Sequence, residues 1–345
     1  MRKVFLSIFL VFSICIFASI SITQTSVVKP RKTNMFKEYD NYLVISEQFS
    51  LIPGLKEDYV PQGLGYMPSE DWFVISSYSS KGPSVLSFLN GTTGEYIKSV
   101  VILNEDGSFY TGHAGGVAAS EFNLWISSGK YLRKISMEKI LDAKDGEEIR
   151  IESKFNTGTN ASFAAYKNGV IWAGEFYRFD NYLTDPTHYQ KIETGERNNA
   201  WITGFILDET TDELINTIPI DESIPVTPDY IISVPDIVQG VAFLDDGKIA
   251  LSKSYGRAND SIIQIFKFDA ESASWIDIDG KSVPLWILSS LNLENELLVL
   301  PMSEGIIQKD DYFYILYESA AKKYLITTKY ATDYIWRIPI ILLID

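Results

Sequence analysis

The sequence has one cysteine, two histidines and no long stretch with helical periodicity, and each shortage excludes a class of protein. Cys15 lies inside an apolar N-terminal run, so the chain beyond that run has no thiol. Disulfide bonds, a cysteine nucleophile and cysteine metal ligands are therefore excluded there. Two histidines are too few for a histidine-rich zinc cluster. The motifs G-x-S-x-G and H-E-x-x-H and the P-loop are also absent, so no common signature assigns the chemistry.

Basic residues are in the minority, with 30 Lys and Arg against 45 Asp and Glu and a formal net charge of −15. An acidic surface repels a nucleic-acid backbone, so we expect no nucleic-acid partner, and it gives no support to docking on anionic lipid. Aromatic residues, in contrast, make up 13% of the chain and favour strands over helices. Hydrophobic residues reach 46%, enough for a buried core.

The N-terminus has the pattern of a secretory signal. Arg2 and Lys3 precede an uncharged apolar run over residues 4–22, and a polar stretch begins at Thr23. A short basic region, an apolar block and small residues after it are typical of export segments. We therefore predict that residues 1–25 are a signal peptide and that the protein is secreted. The alternative is an extracytoplasmic protein anchored by this segment uncleaved, because the run is long enough to span a membrane.

A hairpin pattern recurs along the rest of the chain: an apolar strand, a polar turn, and a second apolar strand that ends in small polar residues. Copies begin at residues 62, 115, 161, 239 and 304, and read QGLGYMPSEDWFVISSY, GGVAASEFNLWISSG, ASFAAYKNGVIWAGEFY, QGVAFLDDGKIALSKSY and EGIIQKDDYFYILYE. Further strand-like runs follow the copies, and four antiparallel strands per unit are typical of a propeller blade. We predict an all-β fold, a single closed β-propeller with five blades, and six blades as the alternative.

The two ends of the chain predict how the ring closes. The last copy is followed by one clear outer strand, over residues 334–340, and an unpaired strand over residues 42–51 precedes the first copy. If the N-terminal strand completes the last blade, no edge is left exposed. We therefore predict a linker over residues 26–40 and a propeller domain over 41–345, with an insertion around 180–198 as the place where a sixth blade would lie.

Equivalent positions in the repeats predict one shared site. The first strand of a blade lines the channel and its neighbour runs antiparallel, so the start of the first and the end of the second emerge on one face. The starts of the first strands carry Gln62, His113, Asn160, Gln239 and Glu304. The ends of the second strands carry Tyr78, Glu175, Tyr177, Tyr255 and Glu318. Such a funnel mouth is suited to a small polar ligand or a cation.

Roles follow from residue type. Gln62, Asn160, Gln239, Tyr177 and Tyr255 are the predicted ligand-binding residues. A carboxylate near the axis needs a partner. Because residues with oxygen donors and no thiols suit Ca²⁺, Glu304 and Asn160 are the predicted metal ligands. His113, flanked by small residues, and Glu175, at the end of an apolar strand, are the predicted catalytic residues.

The order Gln-Gly-apolar, hairpin and apolar-Ser resembles the blades of secreted NHL, YVTN and gluconolactonase-like propellers, over most of residues 41–340. In gluconolactonase-like enzymes a channel metal is held by Glu, Asn and Asp side chains. The resemblance implies such a metal, with Glu304 and Asn160 as the matches in type, but no Asp matches. The candidate Glu also lies in the last copy rather than in the first.

Three functions are consistent with these features. The first is a secreted propeller that binds a small polar ligand, glycan or peptide at the funnel, with Ca²⁺ as the only cofactor expected. The second is a calcium-dependent hydrolase or lactonase of gluconolactonase type. The third is an extracellular protein-interaction scaffold. The propeller fold supports all three and does not choose among them.

Overall fold

The computed structural model describes residues 20–29 and 37–344 and shows a five-bladed β-propeller. Within these ranges the α-helices are short: α1 (Asp40–Ile45), α2 (Met137–Asp142) and α3 (Ile341–Ile344). Single 3₁₀ turns occur at Lys37–Tyr39, Pro186–His188 and Ala270–Ser272. None of the helices described is long and apolar enough to cross a membrane. Most of the predicted export segment, residues 1–19 with Cys15, lies outside the described residues.

The first blade follows the first sequence repeat. Its neighbouring strands are antiparallel, and they are β2 (Tyr59–Met67), β3 (Trp72–Ser79), β4 (Val85–Asn90) and β5 (Tyr96–Leu103), counted outward from the channel. The strands are buried on both faces because blades pack on either side, which is why they are almost continuously apolar. Asn90 forms the turn before β5 by accepting hydrogen bonds from the amides of Thr92 and Thr93, at 3.0 and 2.7 Å.

The second blade is tied to the first. It consists of β6 (Gly116–Ala119), β7 (Asn123–Ser128), β8 (Tyr131–Ser136) and, at its outer edge, β10 (Ser153–Asn156). The connection between β8 and β10 contains α2 and β9 (Glu148–Arg150), and β9 pairs in parallel with β5 of the first blade. The connection therefore covers the outer edge of the neighbouring blade.

The third blade contains the insertion that the sequence indicated. Its strands are β11 (Ala161–Lys167), β12 (Val170–Glu175), β15 (Ala200–Ile206) and β16 (Tyr230–Val234). Between β12 and β15, the strands are β13 (Gln190–Lys191) and β14 (Arg197–Asn198). Each has only two residues, and the two pair as a small hairpin. The long interval between repeats is thus an insertion within a blade, and the alternative of six blades is wrong.

The fourth blade has the same four-stranded order and its own tie to a neighbour. Its strands are β17 (Val238–Phe243), β18 (Ile249–Lys253), β19 (Ser261–Phe266) and β22 (Leu293–Val299). Between β19 and β22 the chain forms the hairpin β20 (Ser274–Ile278) and β21 (Lys281–Ile287). Strand β21 pairs in parallel with β16, so the third blade is also covered by its neighbour's connection.

The fifth blade closes the ring as predicted. It consists of β23 (Ser303–Lys309), β24 (Tyr312–Tyr317), β25 (Tyr334–Pro339) and the N-terminal strand β1 (Glu47–Leu51). Strand β1 lies antiparallel to β25, with Leu51 opposite Tyr334 and Glu47 opposite Arg337. The strand is shorter than predicted, because residues 40–45 form α1. Tyr42 in that helix is fully buried and accepts a hydrogen bond from the hydroxyl of Tyr317, at 2.9 Å.

Residues 20–29 lie against the ring. The Gln24 amide donates to the carbonyls of Leu51 and Gly94, at 3.0 and 2.7 Å, and its oxygen accepts from the Tyr96 amide. Ile22 is buried against the first blade. The predicted end of the signal peptide and start of the linker fall in this segment, and those domain boundaries stay predictions.

Glycines bring the inner strands close together around the axis. A Cβ atom at Gly63 would lie 2.5 Å from the Val117 nitrogen, and one at Gly305 would lie 2.5 Å from the Leu64 nitrogen. Contacts this short are not tolerated between a Cβ and a backbone atom. The glycine after the first residue, present in four of the five repeats, therefore serves packing at the channel. Apolar side chains fill the space between adjacent blades.

Candidate ligand-binding site

β-Bulges mark the channel mouth where the inner strands begin. The register with the second strand shifts between Pro61 and Gly63, and again near the start of three further inner strands. The residues at these shifts are Gln62, Ser162, Gln239 and Glu304. A bulge changes the direction of a side chain and is common next to functional sites.

Two residues before these bulges have a left-handed backbone. Ile237 has φ 63° and Met302 has φ 64°, and they directly precede β17 and β23. A β-branched or bulky side chain is disfavoured in this region, so the surrounding fold must hold it there. The turn at each position leads into the bulge that carries Gln239 or Glu304. The backbone on this side of the ring is therefore strained where the polar side chains enter the mouth.

The mouth is a cavity of about 420 Å³. Its lining includes five of the residues that the sequence assigned to the site: Gln62, His113, Gln239, Tyr255 and Glu304. Asn160, Glu175 and Tyr177 are not among the lining residues. Asn160 is exposed and Tyr177 is buried against Tyr189, with ring centroids 5.8 Å apart. The structure thus brings the starts of the first strands together, as the repeats predicted, with Asn160 as the exception.

Two carboxyl groups meet in this cavity. Glu304 lies at the start of β23 and Glu318 directly follows β24, and these strands are antiparallel neighbours. Glu304 is only 3% exposed. The Gln239 amide donates to Glu304 Oε1 at 3.2 Å, and the Gln62 amide donates to Glu318 Oε2 at 3.0 Å. Each carboxyl group therefore has its own amide donor from a bulge of another blade.

Each of the two carboxyl groups changes the pKa of the other, and a proton on one of them relieves the repulsion between two buried negative charges. Burial, followed by the charge of Glu318, raises the pKa of Glu304 well above its ordinary range. Burial raises the pKa of Glu318 to about 7, while Gln62 and the cations Lys323 and Arg257 act in the opposite direction. At neutral pH the pair therefore holds a proton, with Glu304 as the donor and Glu318 as the acceptor.

His113 extends this network to the rim. Its Nε2 lies 2.5 Å from Gln62 Oε1. Since the Gln62 NH₂ group donates to Glu318 and to the Pro61 carbonyl, its oxygen must accept from His113, and Nε2 carries the hydrogen. Desolvation and the positive charge of Lys323 lower the pKa of His113, so the imidazole is neutral at pH 7 with an unprotonated Nδ1.

Aromatic rings form the wall of the mouth. Tyr78 packs against the His113 ring with centroids 4.1 Å apart, and its hydroxyl lies 3.3 Å from the Tyr324 hydroxyl. Across the cavity, Tyr255 and Phe176 are stacked with centroids 6.3 Å apart. Tyr78, His113, Tyr324, Tyr255 and Phe176 all line the cavity. The mouth therefore combines apolar faces at the side with polar groups at the base.

Glu175, a predicted catalytic residue, belongs to a different cluster. Its carboxylate accepts from the backbone amides of Asn160 and Trp201, both at 3.1 Å, and lies 2.9 Å from His188 Nδ1. The His188 ring stacks on Trp201 at 4.0 Å. Glu175 and His188 are buried, at 1% and 6% exposure, and neither is among the residues that line the cavity. This cluster anchors the insertion of the third blade to the sheet, and sequence reasoning gave no partner for His188.

Three lining residues had no role in the sequence analysis. Glu318 was placed at the same funnel mouth as Glu304, at the end of a second strand, but was given no role there. Arg257 and Tyr324 lie in the irregular connections after β18 and β24, outside the repeated hairpins. Because these connections differ between blades, no periodic signal identifies their residues.

The predicted calcium ligands do not fit a calcium site. Glu304 lies inside the mouth, whereas Asn160 is exposed and outside its lining. Across residues 20–29 and 37–344, no group of three or more His, Cys, Asp or Glu side chains is placed to hold a metal. The amides of Gln62 and Gln239 present NH₂ groups, not oxygens, to the carboxyl pair. A calcium ion takes six to eight oxygen ligands, and this arrangement supplies a shared proton instead.

Comparison with known proteins gave no match to a family model and none to a curated protein. Among solved structures, the chain is similar to the PQQ-bound aldose sugar dehydrogenase of Streptomyces coelicolor, with 13% identity, TM-score 0.44, and coverage of 85% of this chain and 96% of that one. It is also similar to a gluconolactonase of Xanthomonas campestris, with 10% identity, TM-score 0.36, and coverage of 85% and 87%.

A third similar structure is the glutaminyl cyclase of Myxococcus xanthus, with 10% identity, TM-score 0.42, and coverage of 85% of this chain and 92% of that one. A gluconolactonase, the class of propeller that the sequence resembles, is thus among the similar structures. These proteins have different activities, and the identities are too low to transfer any of them. The chain is a five-bladed β-propeller, and the residues of its channel mouth are the features that bear on its function.

Proposed function

We propose that this protein is a glycan-binding β-propeller that holds a sugar unit in the channel mouth. The observation that carries the proposal is the proton-sharing pair Glu304 and Glu318, flanked by two amides at the base of an aromatic cavity. Export from the cell is part of the proposal and rests on the sequence of residues 1–25 alone.

The polar groups of the base suit a ligand with several hydroxyls. A hydroxyl both donates and accepts, so it can donate to the ionised Glu318 while accepting from an amide NH₂. Gln62 and Gln239 already hold such donors in place through their contacts with the carboxyl pair. Because these groups lie on bulges of different blades, a ligand with hydroxyls on adjacent carbons can contact several of them together.

The walls suit the apolar side of a sugar ring. Tyr78, Tyr324, Tyr255 and Phe176 line the cavity with aromatic surface, and the three tyrosines add polar hydroxyls to it, which is the combination that tyrosine brings to binding sites. A cavity of about 420 Å³ lies within the range of small-molecule sites. Its size fits one or two sugar units.

The test is binding of the purified propeller to a glycan array, followed by titration calorimetry with the sugars retained. The double variant Glu304→Gln, Glu318→Gln keeps the shape and removes both carboxyl groups. We expect its affinity to fall by about tenfold or more, which corresponds to the loss of a charge-assisted hydrogen bond. The double variant Glu209→Gln, Glu271→Gln is the matched control, because both residues are exposed and neither lines the cavity.

Two outcomes contradict the proposal. If no glycan binds to the wild-type protein, the scaffold function is favoured. If the carboxyl variant binds as tightly as the control variant, the glycan lies elsewhere on the propeller. The lactonase activity implied by the sequence resemblance stays a prediction, since the carboxyl pair, its amides and the aromatic walls are explained by binding.

A further inference from the structure

We infer that the sugar held in this mouth carries a carboxylate, and that Arg257 and Lys323 bind it beside Tyr324. This inference rests on the proposed function and specifies the class of glycan. It concerns the positively charged side of the cavity. The cations there lie in the connections after β18 and β24, which are not part of the repeated hairpins.

Arg257 and Lys323 lie on the same aromatic ring. The Arg257 guanidinium is 4.8 Å from the centroid of Tyr324, and the Lys323 ammonium is 5.1 Å from it. Tyr324 and Arg257 line the cavity, and Lys323 also donates to the Tyr78 hydroxyl at 3.0 Å. Two positive charges are therefore fixed at one side of the rim by aromatic contacts and neutral hydrogen bonds.

Neither cation has a carboxylate partner within 4.0 Å among the residues that the structure describes. Arg257 instead donates to the Thr327 hydroxyl, at 3.1 Å. The contrast with the nearby lysines is informative, because Lys81 and Lys322 both pair with Asp58, at 3.0 and 3.3 Å. In a chain with an excess of 15 acidic charges, two cations without a carboxylate at a cavity rim are positioned for an anion from outside.

The carboxyl pair does not satisfy these cations. Arg257 and Lys323 lower the pKa of Glu318 through space, so their charge reaches the base of the mouth without direct contact. With Glu304 protonated and the pKa of Glu318 at about 7, the pair carries at most one negative charge at neutral pH. The two positive charges of Arg257 and Lys323 therefore exceed the negative charge of the pair, and a negatively charged ligand would balance them.

The chemistry favours a uronic acid. The planar fork of an arginine matches the two oxygens of a carboxylate, and a lysine adds a point charge. With the carboxylate at Arg257 and Lys323, the sugar ring lies beside Tyr324 and Tyr78 and its hydroxyls point to the base. A neutral sugar would leave both cations without a partner.

The experiment is calorimetric titration of the wild-type protein with glucuronic acid, glucose and acetate at low salt. We expect glucuronic acid to bind about tenfold or more tightly than glucose, and acetate to bind more weakly than glucuronic acid, because it lacks the hydroxyls. The preference should decrease as the salt concentration rises.

A pair of variants isolates the cations. In the double variant Arg257→Gln, Lys323→Gln, the preference for glucuronic acid over glucose should disappear, so that the two sugars bind about equally. The control double variant Lys81→Gln, Lys322→Gln should keep the preference of the wild type. Equal binding of the two sugars by the wild type, or an unchanged preference in the first variant, overturns the inference and leaves glycan binding intact. Binding of neither sugar, nor of any other glycan, overturns the proposed function as well.

Discussion

The molecule has two buried carboxyl clusters beside a histidine, and they differ in what satisfies the carboxylate. Glu175 accepts from two backbone amides and contacts His188, so its partners are fixed parts of the third blade. Glu304 and Glu318 depend on each other, on two amide side chains and on a shared proton. Burial and a neighbouring histidine are common to both, so neither feature identifies a binding site. The difference lies in whether backbone groups or exchangeable side-chain groups complete the cluster.

Position in the blade leads to the same distinction. Glu175 ends β12 and holds the chain just before β11 and the start of β15, so it fastens strand ends together. The pair at the mouth is reached through bulged strand starts and faces a cavity. We therefore assign Glu175 to stability and the pair to ligand binding, and four changes test that assignment.

The largest expected effect is that of Glu175→Ala. It leaves the buried Trp201 amide and the partly buried Asn160 amide without acceptors and removes the partner of His188, so we expect a loss of about 3 kcal/mol or more in unfolding free energy. Urea denaturation followed by tryptophan fluorescence measures it. A loss below about 1 kcal/mol would show that the cluster does not anchor the insertion.

A third buried carboxylate sharpens the comparison. Asp333 accepts from the amides of Val27 and Val28 and from the Ser26 hydroxyl, at 2.7, 2.9 and 2.8 Å. If backbone donors define a structural carboxylate, Asp333→Ala should cost about 2 kcal/mol, less than at Glu175 because residues 20–29 lie at the outside of the ring. The same urea assay checks it, and hydrogen exchange of the Val27 and Val28 amides should accelerate. Unchanged exchange would contradict the assignment.

The pair at the mouth should make stability depend on pH in the opposite sense to ordinary carboxylates. Its pKa values are raised in the folded state, so the folded protein binds protons more tightly than the unfolded chain. Stability from this pair is greatest below about pH 4.5 and falls as pH rises toward about 7, the folded pKa of Glu318.

Glu304→Gln replaces the proton donor with an amide NH₂ and removes one titrating group. We expect the variant to be about 1 kcal/mol more stable than the wild type at pH 8 and to lose less stability between pH 5 and 8. Urea denaturation across this range measures both. Glu271→Gln, an exposed change, is the control, and a slope for Glu304→Gln equal to that of the control would be inconsistent with a shared proton.

The smallest effect on stability is expected for His113→Ala. This residue is at the rim and its main partner is the Gln62 side chain, so the change should cost less than about 0.5 kcal/mol. His188→Ala is the matched change in the other cluster and should cost more, because that ring is buried on Trp201. Thermal unfolding compares the two, and equal losses would remove the distinction between the clusters.

The sequence predicted the fold well because each blade repeats the same local pattern. Five hairpins, four of them with glycine after their first residue, specify five inner strands, and the unpaired strand before the first hairpin specifies closure. Residues 42–45 were predicted as strand and form a helix. Tyr42 there is held by Tyr317 and by packing on Trp336, and such tertiary contacts leave no periodic pattern.

The site was only partly predictable for the same reason. Gln62, Gln239 and Glu304 occupy equivalent bulges, so the repeat alone brings them together. Glu175 is at an equivalent strand end, yet the insertion of its own blade covers it with His188 and Trp201. Arg257 and Tyr324 come from connections of individual length and sequence, whose course depends on the packed ring.

The central claim is that Glu304 and Glu318 share a proton, and carboxyl ¹³C NMR tests it most directly. Glutamate labelled at the side-chain carboxyl carbon is followed from pH 3 to pH 9, and Glu304→Gln and Glu318→Gln assign the resonances. We expect the Glu304 resonance to stay protonated at pH 7 and the Glu318 resonance to titrate close to pH 7. If both resonances titrate below pH 5, the two carboxyl groups ionise independently and the claim is contradicted.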